Sequence, residues 1–480
     1  MARLDLSRST VAAPALAVLA GSVSALFGTL AVRIIMARAL TPTELGVVLL
    51  GIAVVSALGG VAGLGLATAA AERIARLRAG GAEEAARRCA QSAVRLGLGS
   101  GAAMSTLVVV TTLFFPFSLQ SAALRTTLLV LAPVVLALAI GGATVGVTRG
   151  FGDTFGRAVL RDGGGGALRA LAVGAAVLAG GGRLAVAAGF ALGSLVAEAS
   201  FLTFAARRGF CGVLTRPGGD RGLIAALVPF LVIELCGQLG AWMDVILLGV
   251  FAPAAVVGVY GVARGLTKAA QLVLASVGHR FLPQATVFGP GPELARLYVR
   301  SRLFTFALVW PAVVAFLLVP ELVLRTLFGA AYAGGAGPLR LLGLALLVDW
   351  FAVGKDGALV AAGWGAVVSR VASLATLAGL AVTLVLVPRL GAAGAALALL
   401  IMAGGRGLGL AVELGRREPT PLLRHDLPAP VVVGLLAVLA AAVLTLGPLT
   451  QLVKAGVVAA VGSGLAVRSL WRGRQPWPAR

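Results

Sequence analysis

Residues 230–283 read FLVIELCGQLGAWMDVILLGVFAPAAVVGVYGVARGLTKAAQLVLASVGHRFLP, and the class of fold follows from what this run contains. It is two apolar stretches, each long enough for a membrane helix, interrupted by Glu234, Gln238, Asp244, Arg264, Lys268 and Gln271. A lone Arg, Lys or Asp at the centre of a membrane helix costs about 2.5 to 3.5 kcal/mol, so Arg264 and Lys268 together need compensation of roughly 5 to 7 kcal/mol. Cations kept in hydrocarbon at that cost predict a water-filled path for something anionic.

The rest of the chain has the same character. Of 480 residues, 59% are hydrophobic and 12% charged, and the mean hydropathy is +1.01. Soluble domains carry about 25% charged residues. Apolar runs of about 20 residues predict helices, whereas a membrane β-barrel needs alternating runs of about ten. Fourteen such runs are expected, at approximately 12–37, 44–68, 93–116, 126–147, 159–181, 184–206, 224–250, 256–280, 302–320, 338–362, 367–388, 391–414, 430–447 and 450–470. The first imitates a signal peptide, with Arg3 and Arg8 before it and Ser22-Val23-Ser24-Ala25 inside it, but it continues to Ala37 and reads as a retained helix.

The net charge of +22 raises nucleic acid as a partner. The cations, however, fall mostly in short loops on alternate sides of the apolar runs, 28 on one side and seven on the other, which is a topological signal. It places both termini in the cytoplasm and excludes a nucleic-acid role. Cys89, Cys211 and Cys236 are far apart and the histidines are His279 and His425, so neither a disulfide framework nor a metal site is expected. The longest loops, around 69–92 and 281–301, are too short for a folded extramembrane domain.

The two halves repeat at an offset of about 210 residues. Arg33 to Val47 faces Asp244 to Val259, with Pro42 on Pro253 and Gly46 near Gly258; Gly81 to Arg87 faces Gly291 to Arg296. Two six-helix lobes are expected, residues 1–210 and 211–420, followed by residues 421–480 with two further helices and a basic tail. Such repeats are typical of transporters. The 66 glycines either let helices approach closely or reflect an Ala/Gly bias of composition.

Several of these stretches carry a family resemblance. Arg33 to Gly46, Gly63-Leu64-Gly65-Leu66, Thr148-Arg149-Gly150-Phe151-Gly152, Asp244 to Tyr260, and Leu324-Arg325-Thr326-Leu327-Phe328-Gly329-Ala330-Ala331-Tyr332 occur in this order. The series resembles the Wzx-like oligosaccharide flippases, polysaccharide transporters of the multidrug/oligosaccharidyl-lipid/polysaccharide (MOP) exporter superfamily. The resemblance implies a MATE-like, all-α membrane protein of two lobes that is not an enzyme and has no cofactor. It further implies alternating access, by which an undecaprenyl-diphosphate-linked oligosaccharide moves from the inner to the outer leaflet of the cytoplasmic membrane through a basic cavity. Its partners would be the lipid-linked glycan, membrane lipids, H+ or Na+ as coupling ion, and other polysaccharide-assembly proteins.

Tyr260, Arg264, Lys268 and Gln271 follow at spacings of four, four and three, which puts them on one helical stripe. An Arg fork binds a diphosphate bidentately while Lys adds a point charge, so these four and Arg33 are the candidate substrate contacts. The bland alternative is snorkelling to the interface; Lys268 is too central for it, whereas Arg33 is only a turn from the boundary. Arg33 and its repeat partner Asp244 are candidates for a pair that closes one side. Asp244, Glu234, Asp349, Asp356 and Lys355 are the candidate coupling or gating groups, because a carboxylate in apolar surroundings takes and releases protons near neutral pH. A structural ion pair is the competing reading for Lys355, and Arg406 with Glu413 reads as a neutralised pair. Glu198 reads as a topological or headgroup contact, and Trp242 as the aromatic to stack on a sugar.

A multidrug or organic-cation antiporter of the same superfamily is the first rival and predicts an acidic, aromatic cavity. A membrane glycosyltransferase or polymerase is the second; it predicts a longer loop with catalytic carboxylates.

Overall fold

The computed structural model describes residues 8–114, 121–153, 156–210, 221–288, 291–417 and 448–472. Cys211, His425 and the apolar run expected at 430–447 lie outside them. The described chain is helical with no strand, and eight of its stretches are long and apolar enough to cross a membrane. It is a multi-pass membrane protein, as the apolar pattern requires.

Contacts divide the chain into two compact units, residues 1–258 and 259–480. The first holds α1 (Arg8–Ala39), α2 (Pro42–Ala62), α3 (Leu66–Ala79), α4 (Glu83–Phe114), α5 (Ala122–Gly150), a π-helical segment π1 (Arg157–Gly164), α6 (Gly165–Leu178), α7 (Arg183–Arg207), α8 (Arg221–Phe251) and the first turn of α9 (Ala254–Phe288). The second holds the rest of α9, then α10 (Pro292–Leu318), α11 (Pro320–Leu327), a 3-10 turn (Ala330–Gly335), α12 (Ala336–Ala352), α13 (Lys355–Ala361), α14 (Gly365–Arg417) and α15 (Pro448–Arg472). The helix α8, which the repeat assigns to the second lobe, thus packs within the first unit, against α2 and α3.

Helix boundaries depart from the apolar runs where polar helix continues past the hydrocarbon. The expected loop at 69–92 is mostly α3 and the start of α4, and that at 281–301 is mostly the end of α9 and the start of α10. At 1.5 Å per residue, the 32 residues of α4 exceed a hydrocarbon core of about 30 Å. The opposite departure occurs at 338–362, expected as one helix: it breaks between α12 and α13 at Gly354, φ +87°. Asp349 and Asp356 therefore lie on different helices and share no face. The expected break between 388 and 391 is present, at Gly391 with φ +55°.

Local sequence explains the start of α2. In Thr41-Pro42-Thr43-Glu44, the Thr41 hydroxyl accepts from the Glu44 amide at 3.3 Å while a Glu44 carboxylate oxygen accepts from the Thr41 amide at 3.1 Å, a reciprocal capping box with proline at the first helical position. The helix ends at Gly63-Leu64-Gly65, where Leu64 (φ +50°) is the one non-glycine residue at positive φ among those described. A leucine there costs roughly 1 to 2 kcal/mol.

Glycine marks the closest approaches. A Cβ on Gly46 would fall 1.7 Å from the Ala254 carbonyl oxygen, and one on Gly258 2.0 Å from that of Pro42, so the two matched Pro/Gly turns of the repeat pack on one another. A Cβ on Gly28 would lie 2.7 Å from the backbone of Gly166, fixing α1 against α6. Gly28→Ala should therefore cost about 2 kcal/mol through forced separation. Gly174→Ala on α6, whose Cβ would meet only Ile35 at 3.9 Å, should be neutral or stabilising by about 0.5 kcal/mol. Thermal unfolding of the two variants in detergent measures the difference.

The buried end of α12 is held by Arg302 of α10, which is 0% exposed. Its Nη1 donates to the carbonyls of Phe351 and Val353, each at 3.1 Å, and its guanidinium lies 4.2 Å from the Trp350 ring centroid. Lys355, also buried, donates its ammonium to the same Phe351 carbonyl. Terminal carbonyls of a helix lack partners inside it, and cations satisfy both them and the helix dipole. Two turns further along α10, Trp310 donates to the Val458 carbonyl of α15 at 3.1 Å.

Candidate substrate cavity

The first unit contains a half-open cavity of about 610 Å³. Its walls are α1, α2 with the small residues Ser56, Gly59 and Gly60, the break at Gly63 to Gly65, the start of α3, α5, π1, α6, α8 and Phe190 of α7. Irregular backbone at membrane depth is tolerated where it borders a wet cavity, which accounts for the position of the α2 to α3 break.

Five arginines line this space: Arg33 of α1, Arg149 at the end of α5, Arg157 and Arg161 of π1, and Arg169 of α6. Three of them are held by contacts to neighbouring groups. Arg161 donates from Nε to both oxygens of buried Glu198 of α7, at 3.1 and 3.2 Å. Arg157 lies 3.5 Å from Asp162, and Arg169 donates to the Gly165 carbonyl at 3.0 Å. Close packing supports this shell, since a Cβ on Gly193 of α7 would lie 2.7 Å from the Arg169 Cα.

With Glu234 on the lining and Asp162 and Glu198 behind it, five arginines face three carboxylates, so the site stays cationic. Each guanidinium has five N–H donors, and one ion pair leaves most of them available to further acceptors. Arginines so arranged bind phosphate oxygens in pairs. A π-helical turn widens the backbone and is common at functional sites; here it carries two of the five.

The second unit contains a much smaller polar site. Arg264 donates to Gln271 at 3.2 Å and Gln271 to Asp349 at 2.7 Å, beside a cleft of about 30 Å³ that also touches Thr267 and Met402.

Residues 15–283 match the sequence profile of a family described as polysaccharide biosynthesis protein, more than half of the chain. The chain belongs to that family. No curated protein sequence matches it. Among solved structures, this family member is similar to the lipid II flippase MurJ in an inward closed conformation, with TM-score 0.72 and 14% identity over 96% of this chain and 99% of that one. It is also similar to an inward-facing multidrug resistance MATE family transporter of the MOP superfamily, with TM-score 0.65 and 18% identity over 86% and 99% of the two chains. A MOP superfamily transporter from Pyrococcus furiosus, described as having a binding pocket of reverse polarity, gives TM-score 0.57 and 19% identity over 84% and 96%. At these identities the likeness shows the fold. The resemblance read from the sequence is borne out in family and fold: this is a membrane protein of the polysaccharide biosynthesis family with the fold of the MOP-superfamily structures.

The expected site residues of this family member distribute over both units. Arg33, Glu234 and Trp242 line the large cavity; Arg264, Gln271 and Asp349 form the small polar site. Tyr260 is wholly buried, Asp244 is 4% exposed, and Lys268 is partly buried on α9. Lys355 helps cap α12, and Asp356 pairs with Arg406 at 3.4 Å. Arg406 and Glu413 do not form the expected pair with one another; Glu413 pairs with Arg417 at 2.7 Å, because that residue lies one turn on along the same helix. Glu198, expected as a headgroup contact, is instead the buried partner of Arg161.

Arg149, Arg157, Arg161 and Arg169 are among the 28 cations whose one-sided distribution reads as topology. Their spacing held the missing signal: 157, 161 and 169 lie at i, i+4 and i+12, one side of a helix, at the start of the run expected at 159–181.

Proposed function

We propose that the protein is a flippase that carries an undecaprenyl-diphosphate-linked oligosaccharide from the inner to the outer leaflet of the cytoplasmic membrane. The observation that carries this reading is the arginine-lined cavity of about 610 Å³ in the first unit. Each glycan hydroxyl stranded in hydrocarbon costs roughly 2 to 7 kcal/mol, which a polar cavity avoids. The arginines hold the diphosphate, the polyprenyl tail stays in lipid, and the two units act as the lobes of an alternating-access cycle. The protein supplies binding and passage and makes or breaks no bond.

The excess of cations on one side of the apolar runs supports cytoplasmic termini. With the interior negative, outward movement of an anion gains about 2.3 kcal/mol per charge per 100 mV if it crosses the full field, so the potential contributes to the drive. The Arg264–Gln271–Asp349 chain is the candidate for coupling to H+ or Na+.

The organic-cation antiporter is disfavoured by the lining, since five arginines repel a cationic drug. One pair of assays in proteoliposomes separates the two. A polyprenyl-diphosphate sugar with a fluorophore on the sugar should become accessible to an impermeant quencher from both leaflets, and ethidium should not accumulate under an ion gradient. Ethidium uptake without flipping of the lipid-linked sugar would reverse the assignment.

A further inference from the structure

The lining of the large cavity divides by chemistry according to the helix that carries it. Four of the five arginines come from the end of α5, from π1 and from α6. π1 and α6 pack on α1 and α7, whereas α8 packs on α2 and α3, so the arginines of π1 and α6 stand on a different wall from α8. The wall contributed by α8 consists of Glu234, Gln238 and Trp242. These three follow at i, i+4 and i+8, within an arc of about 80°, and all are half-buried.

The α8 wall is built. Gln238 donates from Nε2 to Glu234 at 2.6 Å, and it lies over Gly60 of α2, where a Cβ would come within 2.2 Å of its amide. Beyond that bond an amide keeps a second N–H and its carbonyl oxygen, and a carboxylate keeps a second acceptor oxygen. An indole face, an amide and a carboxylate in one row match a pyranose ring. The C–H face of the sugar stacks on the aromatic, and its hydroxyl or amide hydrogens donate to the oxygens. A phosphate would be repelled by Glu234.

We propose that Trp242, Gln238 and Glu234 form a subsite for the sugar next to the diphosphate, and that the carboxylate selects a neutral or N-acetylated sugar over a uronic acid. The proposal rests on the reading of the cavity as a diphosphate-sugar site. It divides the ligand, with phosphates on the arginine wall and the first sugar on the α8 wall.

The test is equilibrium binding to the full-length protein in nanodiscs, with three probes: polyprenyl diphosphate, the same lipid carrying N-acetylglucosamine, and the same lipid carrying glucuronic acid. Wild type should bind the N-acetylglucosamine lipid about tenfold more tightly than the sugarless lipid. Trp242→Ala should reduce that ratio to within twofold and Trp242→Phe should keep most of it, which separates loss of the aromatic face from misfolding. Glu234→Gln should narrow the preference over the glucuronyl lipid at least threefold. A tenfold ratio that survives in Trp242→Ala, or equal binding of the first two probes by wild type, would overturn the subsite. Absence of binding of all three probes by wild type would overturn the reading of the cavity and the subsite with it.

Discussion

Alanine at both Arg157 and Arg169 is expected to slow translocation of a polyprenyl-diphosphate sugar in proteoliposomes about a hundredfold, with the protein still folded. Hydrogen bonds to charged groups contribute about 1.5 to 3 kcal/mol each. Two lost contacts thus remove at least about 3 kcal/mol, and each 1.4 kcal/mol is a factor of ten. These two are chosen because their local partners are modest: Arg157 faces Asp162 at 3.5 Å, and Arg169 donates to a backbone carbonyl. Arg161 is a poorer test, since removing it leaves the buried carboxylate of Glu198 without its bidentate partner. Lysine at both positions keeps the charge but loses the fork, and should restore only part of the rate. A rate within threefold of wild type for the double alanine variant would take these arginines off the transport path.

Arg302→Ala should destabilise the protein by about 4 kcal/mol. It would orphan the Val353 carbonyl at the end of α12, leave that of Phe351 to Lys355 alone, and empty the space beside Trp350. Each buried acceptor left unsatisfied costs about 1 to 3 kcal/mol, and a desolvated stack of guanidinium on indole adds about 2 kcal/mol. Arg302→Lys retains the charge and a donor but loses the guanidinium stacked on Trp350, so it should recover roughly half of the loss. Thermal unfolding in detergent, wild type beside both variants, measures this. Equal melting temperatures would show that the break at Gly354 is held by its other contacts.

These two sites differ in how far the sequence revealed them, for a common physical reason. Apolar length shows a membrane helix directly, and Pro388 with Gly391 marks a stop that hydropathy and turn chemistry agree on. The breaks at Leu64 and Gly354 fall inside runs that hydropathy carries on to 68 and 362; Lys355 and Asp356 follow Gly354, but the change that makes each break is one of φ. Polar helix beyond the hydrocarbon, as in α3, reads as loop because the hydropathy signal ends before the helix does.

The same ambiguity governed the site. Arg264 stands in an unbroken apolar run, so its cost is visible; it lies in the small polar site of the second unit. Arg157 and Arg161 border glycines and other cations, where topology accounts for them without any function, yet they line the large cavity. Trp242 and Glu234 were legible as polar and aromatic interruptions of α8, but their common wall needed the packing of α8 on α2 and α3.

The most direct measurement is a cryo-EM reconstruction of the protein in nanodiscs with a bound polyprenyl-diphosphate sugar. Density for the two phosphates is expected within hydrogen-bond distance of Arg157, Arg161 or Arg169, inside the cavity of the first unit. Phosphate density at Arg264 in the second unit, with the large cavity free of ligand, would contradict it.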